Sequence, residues 1–500
     1  MFWCAVLYAR IAAPNQADGV AVNIPFIGRE AEIQELNDLH HQNVANLVIV
    51  QGRRRIGKSR LIEEFAKDQK FYCIAGIAPD KETTAQMQRD EFARQLSEQF
   101  GIPKFSMDDW GSLFTLLAQY TNKGKVVILL DEISWMGSLD STFLGKLKNA
   151  WDLQFKKNPK LMLVLCGSAS SWIEKNIVSN TLFLGRPSLY ITLSELSVSE
   201  CNEFWGTHEE RISAYEKLKI LSITGGVPRY LELINSNKSA EDNIRTLCFS
   251  PNSPLLNEFE RIFSDIFGAR STIYKEIITR LVTGPATQEE ILTSCKRSKT
   301  GDFSEYLSDL SMAGFISRDF TWHLKDGKIS KLSRYRLKDN YVRFYLKYLQ
   351  PNKTKIEKGT FKKTSVTTLP GWESIISLQF QNLVLNNDLR IIELLGVPQE
   401  EIIFSNPFFQ KKTKTHSGCQ IDLLIQTKYN SLYVCEIKFS RSELTSSVID
   451  EVKQKIERLN MPKNFSYRPV LIHVNGVKDV VIESGYFAKI IDFGDLLSAK

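Results

Sequence analysis

The 500-residue sequence has little of what marks secreted, metal-knit or membrane-bound chains. Its eight cysteines (Cys4, Cys73, Cys166, Cys201, Cys248, Cys295, Cys419, Cys435) include no Cys-x-x-Cys spacing and no paired histidine. A disulfide framework and a cysteine–histidine zinc site therefore find no support. Several of these thiols lie in apolar runs, such as LMLVLCGS and LYVCEIK, where cysteine serves as a small core residue. A reducing, cytoplasmic setting is expected. No run approaches the roughly 20 apolar residues of a membrane-spanning helix, so no membrane partner is expected. The opening MFWCAVLYARIAA lacks the basic start of a secretory signal, and residues 1–24 read as an N-terminal extension. Internal repeats and low-complexity tracts are absent too.

What is present fits a globular chain of about three domains. Hydrophobic residues make up 43% and charged residues 24%. The net charge of +7 is uneven: residues 1–260 hold 28 Lys and Arg against 31 Asp and Glu. Residues 261–350 hold 16 against 10, and 351–500 hold 20 against 16. A near-neutral front and a basic back direct any polyanion, DNA first, to residues 261–500. A solvated lysine-rich surface explains the same numbers.

Between residues 26 and 240 short apolar runs alternate with helical patterns, which predicts a largely parallel sheet flanked by helices. The expected strands are 47–52, 71–76, 125–132, 161–168 and 189–193. GRRRIGKS directly follows the first of them. In this Gly-x-x-x-x-Gly-Lys-Ser pattern Gly52 and Gly57 let the loop curl, so its N–H groups and the next helix's N-terminus face phosphates. Lys58 adds charge for the β- and γ-phosphates, and the Ser59 hydroxyl is a Mg2+ ligand. Arg53, Arg54, Ile56 and Arg60 complete the loop with Arg55; the three loop arginines face phosphate, a partner or solvent. VVILLDE then ends an apolar strand in two acids, Asp131 to hold Mg2+ and Glu132 to orient or activate water. ATP with Mg2+ is the expected ligand.

These motifs together resemble the archaeal-type AAA/STAND ATPases. FIGREAEIQEL, with Gly28 and Arg29, resembles the box that packs near the adenine. GSASSW is similar to a sensor strand, which implies Ser168 or Ser170 as the polar sensor. LGRPS resembles a Gly-Arg element, making Arg186 a candidate γ-phosphate sensor. GGVPRYL resembles a Gly-x-Pro lid motif, here Gly226 and Pro228. Arg29 and Arg186 also have plain readings, as a helix-start residue and a loop arginine. The resemblance implies an α/β fold: an AAA-type P-loop core over 25–193 and a helical lid over 194–260. A homo-oligomer is left open.

Residues 261–350 read as three helices and a hairpin, the order of a winged helix-turn-helix. Its third helix, DFSEYLSDLSMAGF, is acidic, whereas Lys296, Arg297 and Lys299 precede it. Arg318, Lys325, Lys328, Lys331, Arg334 and Arg336 follow in the hairpin. Contacts to a DNA backbone and packing against the lid are both open. Residues 351–370 are basic and read as a linker. In 371–500 Asp422 interrupts the apolar QIDLLI, while Glu436 and Lys438 lie two apart in LYVCEIKFS and so share a strand face. This resembles the PD-(D/E)xK restriction-nuclease fold. The resemblance implies Asp422 and Glu436 as metal ligands and Lys438 as the group steadying water and phosphate. The acid such folds carry on the first helix is replaced by Gln381, with Glu373 two turns too early. A metal-dependent nuclease controlled by the ATPase, an inactive nucleic-acid-binding relic and a protein-interaction domain are the three readings.

Overall fold

A computed structural model describes residues 25–80, 82–168, 170–297, 301–361, 365–414 and 417–498. The chain divides into two compact units, Met1–Ser194 and Glu195–Lys500.

The first unit is a five-stranded sheet in the order β2-β3-β4-β1-β5, parallel throughout. Its strands are β1 (Asn46–Gly52), β2 (Lys70–Ala75), β3 (Val126–Asp131), β4 (Leu161–Gly167) and β5 (Leu189–Leu193). Each expected strand is present, shifted by at most a residue or so. Near-continuous apolar sequence is needed because both faces are covered. Leu47, Ile49, Ile128, Leu130, Leu163 and Leu165 face the helices Ala85–Phe100, Trp110–Tyr120 and Phe143–Leu153. Val48, Val50, Val127, Leu129 and Val164 face Glu30–His41 and Lys58–Phe65. Loops leaving the carboxyl ends of β1, β3 and β4 come together, as expected for a parallel sheet that carries a ligand site.

In the second unit the helices Ser271–Leu281, Gln288–Ser294 and Gly301–Met312 precede the antiparallel hairpin β6 (Ile316–Trp322) and β7 (Ile329–Leu337). Ala286 bridges to Tyr335 as a third, one-residue strand. The tail forms a mixed sheet in the order β12-β11-β10-β9-β8. Its strands are β8 (Ile402–Gln410), β9 (Cys419–Thr427), β10 (Ser431–Lys438), β11 (Ser466–His473) and β12 (Lys489–Asp492).

Two local expectations are corrected. The basic stretch read as a linker is helical over Gln350–Glu357 with Ile356 fully buried, and Phe361 stacks on Phe249 at 4.9 Å. Ile356 and Phe361 are thus anchors. The run 479–492, whose apolar residues read as a strand from sequence, is a helix, Asp479–Glu483, followed by β12. Val480 and Ile482 stay exposed and only Val481 is buried, so the apolar triplet imitated a strand.

The segments expected as lid, hairpin and tail share cores. Trp205, Leu218, Leu221 and Leu231 pack with Leu423, Ile425, Ile437 and Ile472 on one face of the tail sheet. Trp322 and Leu324 of the hairpin pack with Phe408, Leu424 and Leu432 on the other. Polar groups fix this hairpin contact: Trp322 Nε1 donates to Gln426 Oε1 at 2.5 Å, and Gln426 Nε2 to the Leu324 carbonyl at 2.9 Å. Arg336 of β7 is buried, donating to Asp319 Oδ2 at 2.9 Å and to Asn382 Oδ1 of the helix Trp372–Leu385 at 2.7 Å. Breaking such a pair strands a charge in the interior. Asp319→Ala is expected to lower the stability of the second unit by about 3–5 kcal/mol, read as a shifted urea midpoint. Replacing Asp319 and Arg336 together by Leu and Met should cost less than the single change.

Candidate functional site

The phosphate-type loop runs from the end of β1 into the helix Lys58–Phe65. Two glycines are needed for geometric reasons. Gly52 has φ +150°, and a Cβ there would meet the Leu193 carbonyl oxygen at 2.6 Å; Gly57 caps the helix at φ +90°. Arg55 also adopts a positive φ, 71°, a strained value for a non-glycine residue in the crown of the loop. Ile56 and Arg53 are buried, while Arg54, Arg55 and Arg60 are half-buried. Arg54 lies over the Trp135 ring, 5.7 Å from its centre.

The charged groups at the strand ends form one connected set. Lys58 Nζ donates to the carbonyls of Gly52 and Arg53, both at 3.1 Å, and to Ser168 Oγ at 2.9 Å. Ser168 Oγ in turn donates to Glu132 Oε1 at 2.6 Å, and its backbone N–H donates to Glu132 Oε2 at 3.1 Å. Ser59 Oγ donates to Asp131 Oδ2 at 2.6 Å. Glu132 sits at φ +51°, turning the chain so that the two adjacent carboxylates point to different partners. Two oxygen donors, Ser59 and Asp131, thus lie side by side, which is the donor chemistry Mg2+ takes. A basic group, two carboxylates and a curled loop meet at the carboxyl ends of β1, β3 and β4. Such a set can neutralise a polyphosphate and orient water against it.

Not every expected residue is brought to this point. Arg186 donates to both oxygens of Asp152, at 3.1 and 2.9 Å for its closest contacts, and to the Leu182 carbonyl at 2.9 Å. The Arg186 and Lys148 bonds hold the Asp152 carboxyl well below the usual carboxylate range. No described contact joins Arg186 to the loop, so its γ-phosphate role within one chain finds no geometric support. Arg29, at φ 69° after Gly28 at φ 69°, donates to the Ser194 carbonyl at 2.5 Å and pairs with Glu32 at 3.2 Å. It therefore holds the last residue of the first unit. Ser170 opens the helix Ser170–Ile173, but its side chain lies outside the described residues, as do residues 1–24 and Lys299. Of the two sensor serines, Ser168 is the one seen to bond Lys58 and Glu132. In the second unit Pro228 starts the helix Pro228–Leu231. A Cβ on Gly226 would meet the Leu196 carbonyl at 2.2 Å, so only glycine fits.

A second cluster lies on the tail sheet. Glu436 and Lys438 do share a face of β10, but they point to different partners on the helix Ser447–Arg458. Glu436 accepts from Lys455 Nζ, and Lys438 Nζ pairs with Glu451. Asp422 on β9 accepts from the Ile437 N–H at 3.1 Å and from Gln381 Nε2 at 3.4 Å, with Lys455 Nζ 3.8 Å away. Gln381 is therefore the first-helix residue at the site, whereas Glu373 pairs with Arg441. Burial, with Asp422 adding to it, pushes the Glu436 carboxyl up to about 7; the Lys455 ammonium opposes this. Among the described residues no group of three or more His, Cys, Asp or Glu is arranged to hold a metal. The lysine ammonium between Asp422 and Glu436 nonetheless marks a point where two carboxylates accept one cation, the donor type a divalent ion uses. Lys455 was missed from sequence. The available signal was its position, seven residues after Val448 and three after Val452, on the helix's buried stripe.

The hairpin cations divide. Arg318, Lys325, Lys328 and Lys331 are exposed. Arg336 is sequestered, and Arg334 donates to Gln420 Oε1 at 3.0 Å and lies over Phe409. Arg297 pairs with Glu276 at 3.3 Å.

Sheet order, curled loop and paired acids define a P-loop ATPase domain of the AAA-like type. Residues 26–234 match the family described as an ATPase domain predominantly from Archaea. An uncharacterized protein of Methanocaldococcus jannaschii is 25% identical over 343 residues, 67% of this chain and 71% of the relative. An uncharacterized ATP-binding protein of the same organism is 40% identical over 48 residues, 10% of this chain and 81% of that protein. Among solved structures, a Walker-type ATPase of Pyrococcus abyssi superposes with a TM-score of 0.45 at 16% identity, covering 64% of this chain and 96% of the other. No helix among the described residues is long and apolar enough to cross a membrane.

Glu132→Gln is expected to keep ATP binding and to lower turnover by about 10²–10⁴-fold, the scale of a lost general base. Lys58→Ala should instead lose binding. A fluorescent-nucleotide titration beside a phosphate-release assay separates the two.

Proposed function

We propose that the chain is an ATP-hydrolysing switch of the AAA/STAND type that governs a nucleic-acid-associated C-terminal module. The observation that carries this reading is the connected set Lys58–Ser168–Glu132 beside Ser59–Asp131. The loop N–H groups and Lys58 would take the β- and γ-phosphates. Ser59 and Asp131 would hold Mg2+, which when bound neutralises phosphate charge. Glu132 would orient the attacking water, and Ser168 would sense the γ-phosphate, because a phosphate that draws Lys58 away also removes one partner of the serine that holds Glu132. The nucleotide state would leave the first unit through Ser194, whose carbonyl Arg29 holds.

The module's association with DNA is supported by the excess of basic residues over 261–500 and by the exposed Arg318, Lys325, Lys328 and Lys331. The three helices, the hairpin and the Ala286–Tyr335 bridge support a winged-helix reading of 261–350. Contact through those cations would be to backbone rather than to bases. Asp422 and Glu436 support a nuclease-like reading of the tail. A second reading, a switch whose tail binds without cutting, is favoured by Gln381 standing at Asp422 in place of an acid and by Lys438 pairing with Glu451.

Incubating full-length protein with supercoiled plasmid, Mg2+ or Mn2+, and ATP decides between them. Nicking that disappears in Asp422→Asn is the outcome expected of a nuclease. Intact ATP turnover with no nicking in any condition leaves the binding switch. No ATP turnover, with none restored by DNA, would refute the proposal as a whole.

A further inference from the structure

We propose that the Lys455 ammonium is the resting occupant of the Asp422–Glu436 carboxylate site, and that a divalent cation enters only by displacing it. The inference rests on the nuclease-like reading of the tail and sharpens it. It starts from a match of spacings. Two residues along a strand advance about 6.6 Å, and four along a helix about 6 Å. Residues 436 and 438 of β10 can therefore face residues 455 and 451 of the neighbouring helix at the same time. Their charges interleave: Glu436 with Lys455, Lys438 with Glu451.

The two rungs are unequal. Lys438 and Glu451 keep 34% and 45% of their side-chain surface, so water screens that pair and it is weak. Glu436 keeps 7% and Asp422 15%, so their carboxylates need a cation close by. Lys455 supplies it. Its Nζ bonds Glu436 and stands 3.8 Å from Asp422 Oδ2, bridging two acids that come from two different strands. Asp422 has two further partners, the Ile437 N–H on the same Oδ2 and Gln381 Nε2 on Oδ1, so the acceptor is held whether or not the lysine stays.

A hard divalent ion asks for the same pair of converging carboxylates. Both cations cannot sit there at once, because their charges repel at contact distance. The lysine has a way out: its side chain keeps 29% of its surface, and Glu451 lies one helical turn before it, at the i,i+4 spacing that suits a Glu–Lys pair. That move gives Lys438 a competitor for Glu451. Metal entry and release of Lys438 toward Glu436 are thereby one event, and the lysine expected from sequence becomes available only when the metal is present.

The test uses full-length protein without nucleotide, in an Asp131→Asn background so that the P-loop contributes no metal. Mn2+ binding is followed by calorimetry, and folding by circular dichroism. Lys455→Met should tighten the Asp422-dependent Mn2+ site by about 10–100-fold, the scale on which neighbouring groups tune metal affinity. Lys455→Arg, which keeps the charge, should bind as the parent does. In the parent itself, saturating Mn2+ should raise labelling of Lys455 by an amine-reactive ester several-fold, read by mass spectrometry. That measurement needs no variant at Lys455 to fold. Unchanged labelling under saturating Mn2+ overturns the proposal. So does Lys455→Met binding Mn2+ no tighter than the parent while Asp422→Asn still abolishes binding; the metal-site reading then stands without the lock. Absence of any Asp422-dependent Mn2+ binding in both proteins removes that reading and the proposal together.

Discussion

A charge set at the end of a buried strand has to be answered by a partner on another element. This constraint organises both units. β3 and β10 are each largely apolar, and each ends in acidic or basic side chains that are buried or half-buried. At β3 the answer comes from the loop after β1 and from the end of β4. At β10 it comes from the helix Ser447–Arg458. In both places the partners are held by elements whose apolar faces are buried elsewhere. Core packing therefore fixes where the charges stand, to within the few tenths of an ångström that hydrogen bonds demand.

The first unit was largely legible in the sequence because its signals are local. A strand buried on both faces is a short apolar run, and a curled loop needs its glycines at fixed offsets. Asp131 and Glu132 sit where an apolar run stops. The sites that escaped depend on distant chain. Nothing near Arg186 announces that Asp152 will take its guanidinium, and resemblance alone gave it a different task. Ser168 and Ser170 cannot be told apart by spacing; the side-chain bonds described are those of Ser168. Lys438 was chosen for its nearness to Glu436 in sequence, and the two contact the same helix, Ser447–Arg458. Which lysine reaches the carboxylates depends on a helix some twenty residues later.

The second unit was read as separate modules, and the physical reason for the difference lies in its cores. A sheet with two apolar faces needs two covers. The tail sheet takes one from the segment that includes Trp205 and Leu221, and the other from its own helix together with Trp322 of the hairpin. The stretch expected to be a linker is anchored at Ile356 and Phe361. Basic residues in the hairpin are divided by the same packing: Arg336 becomes an interior hydrogen-bond donor, Arg334 bonds Gln420 at the surface, and Arg318, Lys325, Lys328 and Lys331 stay exposed. Net charge by segment overstates what a polyanion would meet.

The bond from Arg29 to the Ser194 carbonyl also has a mechanical meaning. Residue 194 is the last of the first unit, and Arg29 begins the helix Glu30–His41, which leads directly into β1 and its loop. A pull on the chain at residue 195 would load the Arg29–Ser194 bond together with the Gly52–Leu193 pairing beside it. The residue that opens the helix Glu30–His41 therefore also ties down the point where the chain leaves the first unit.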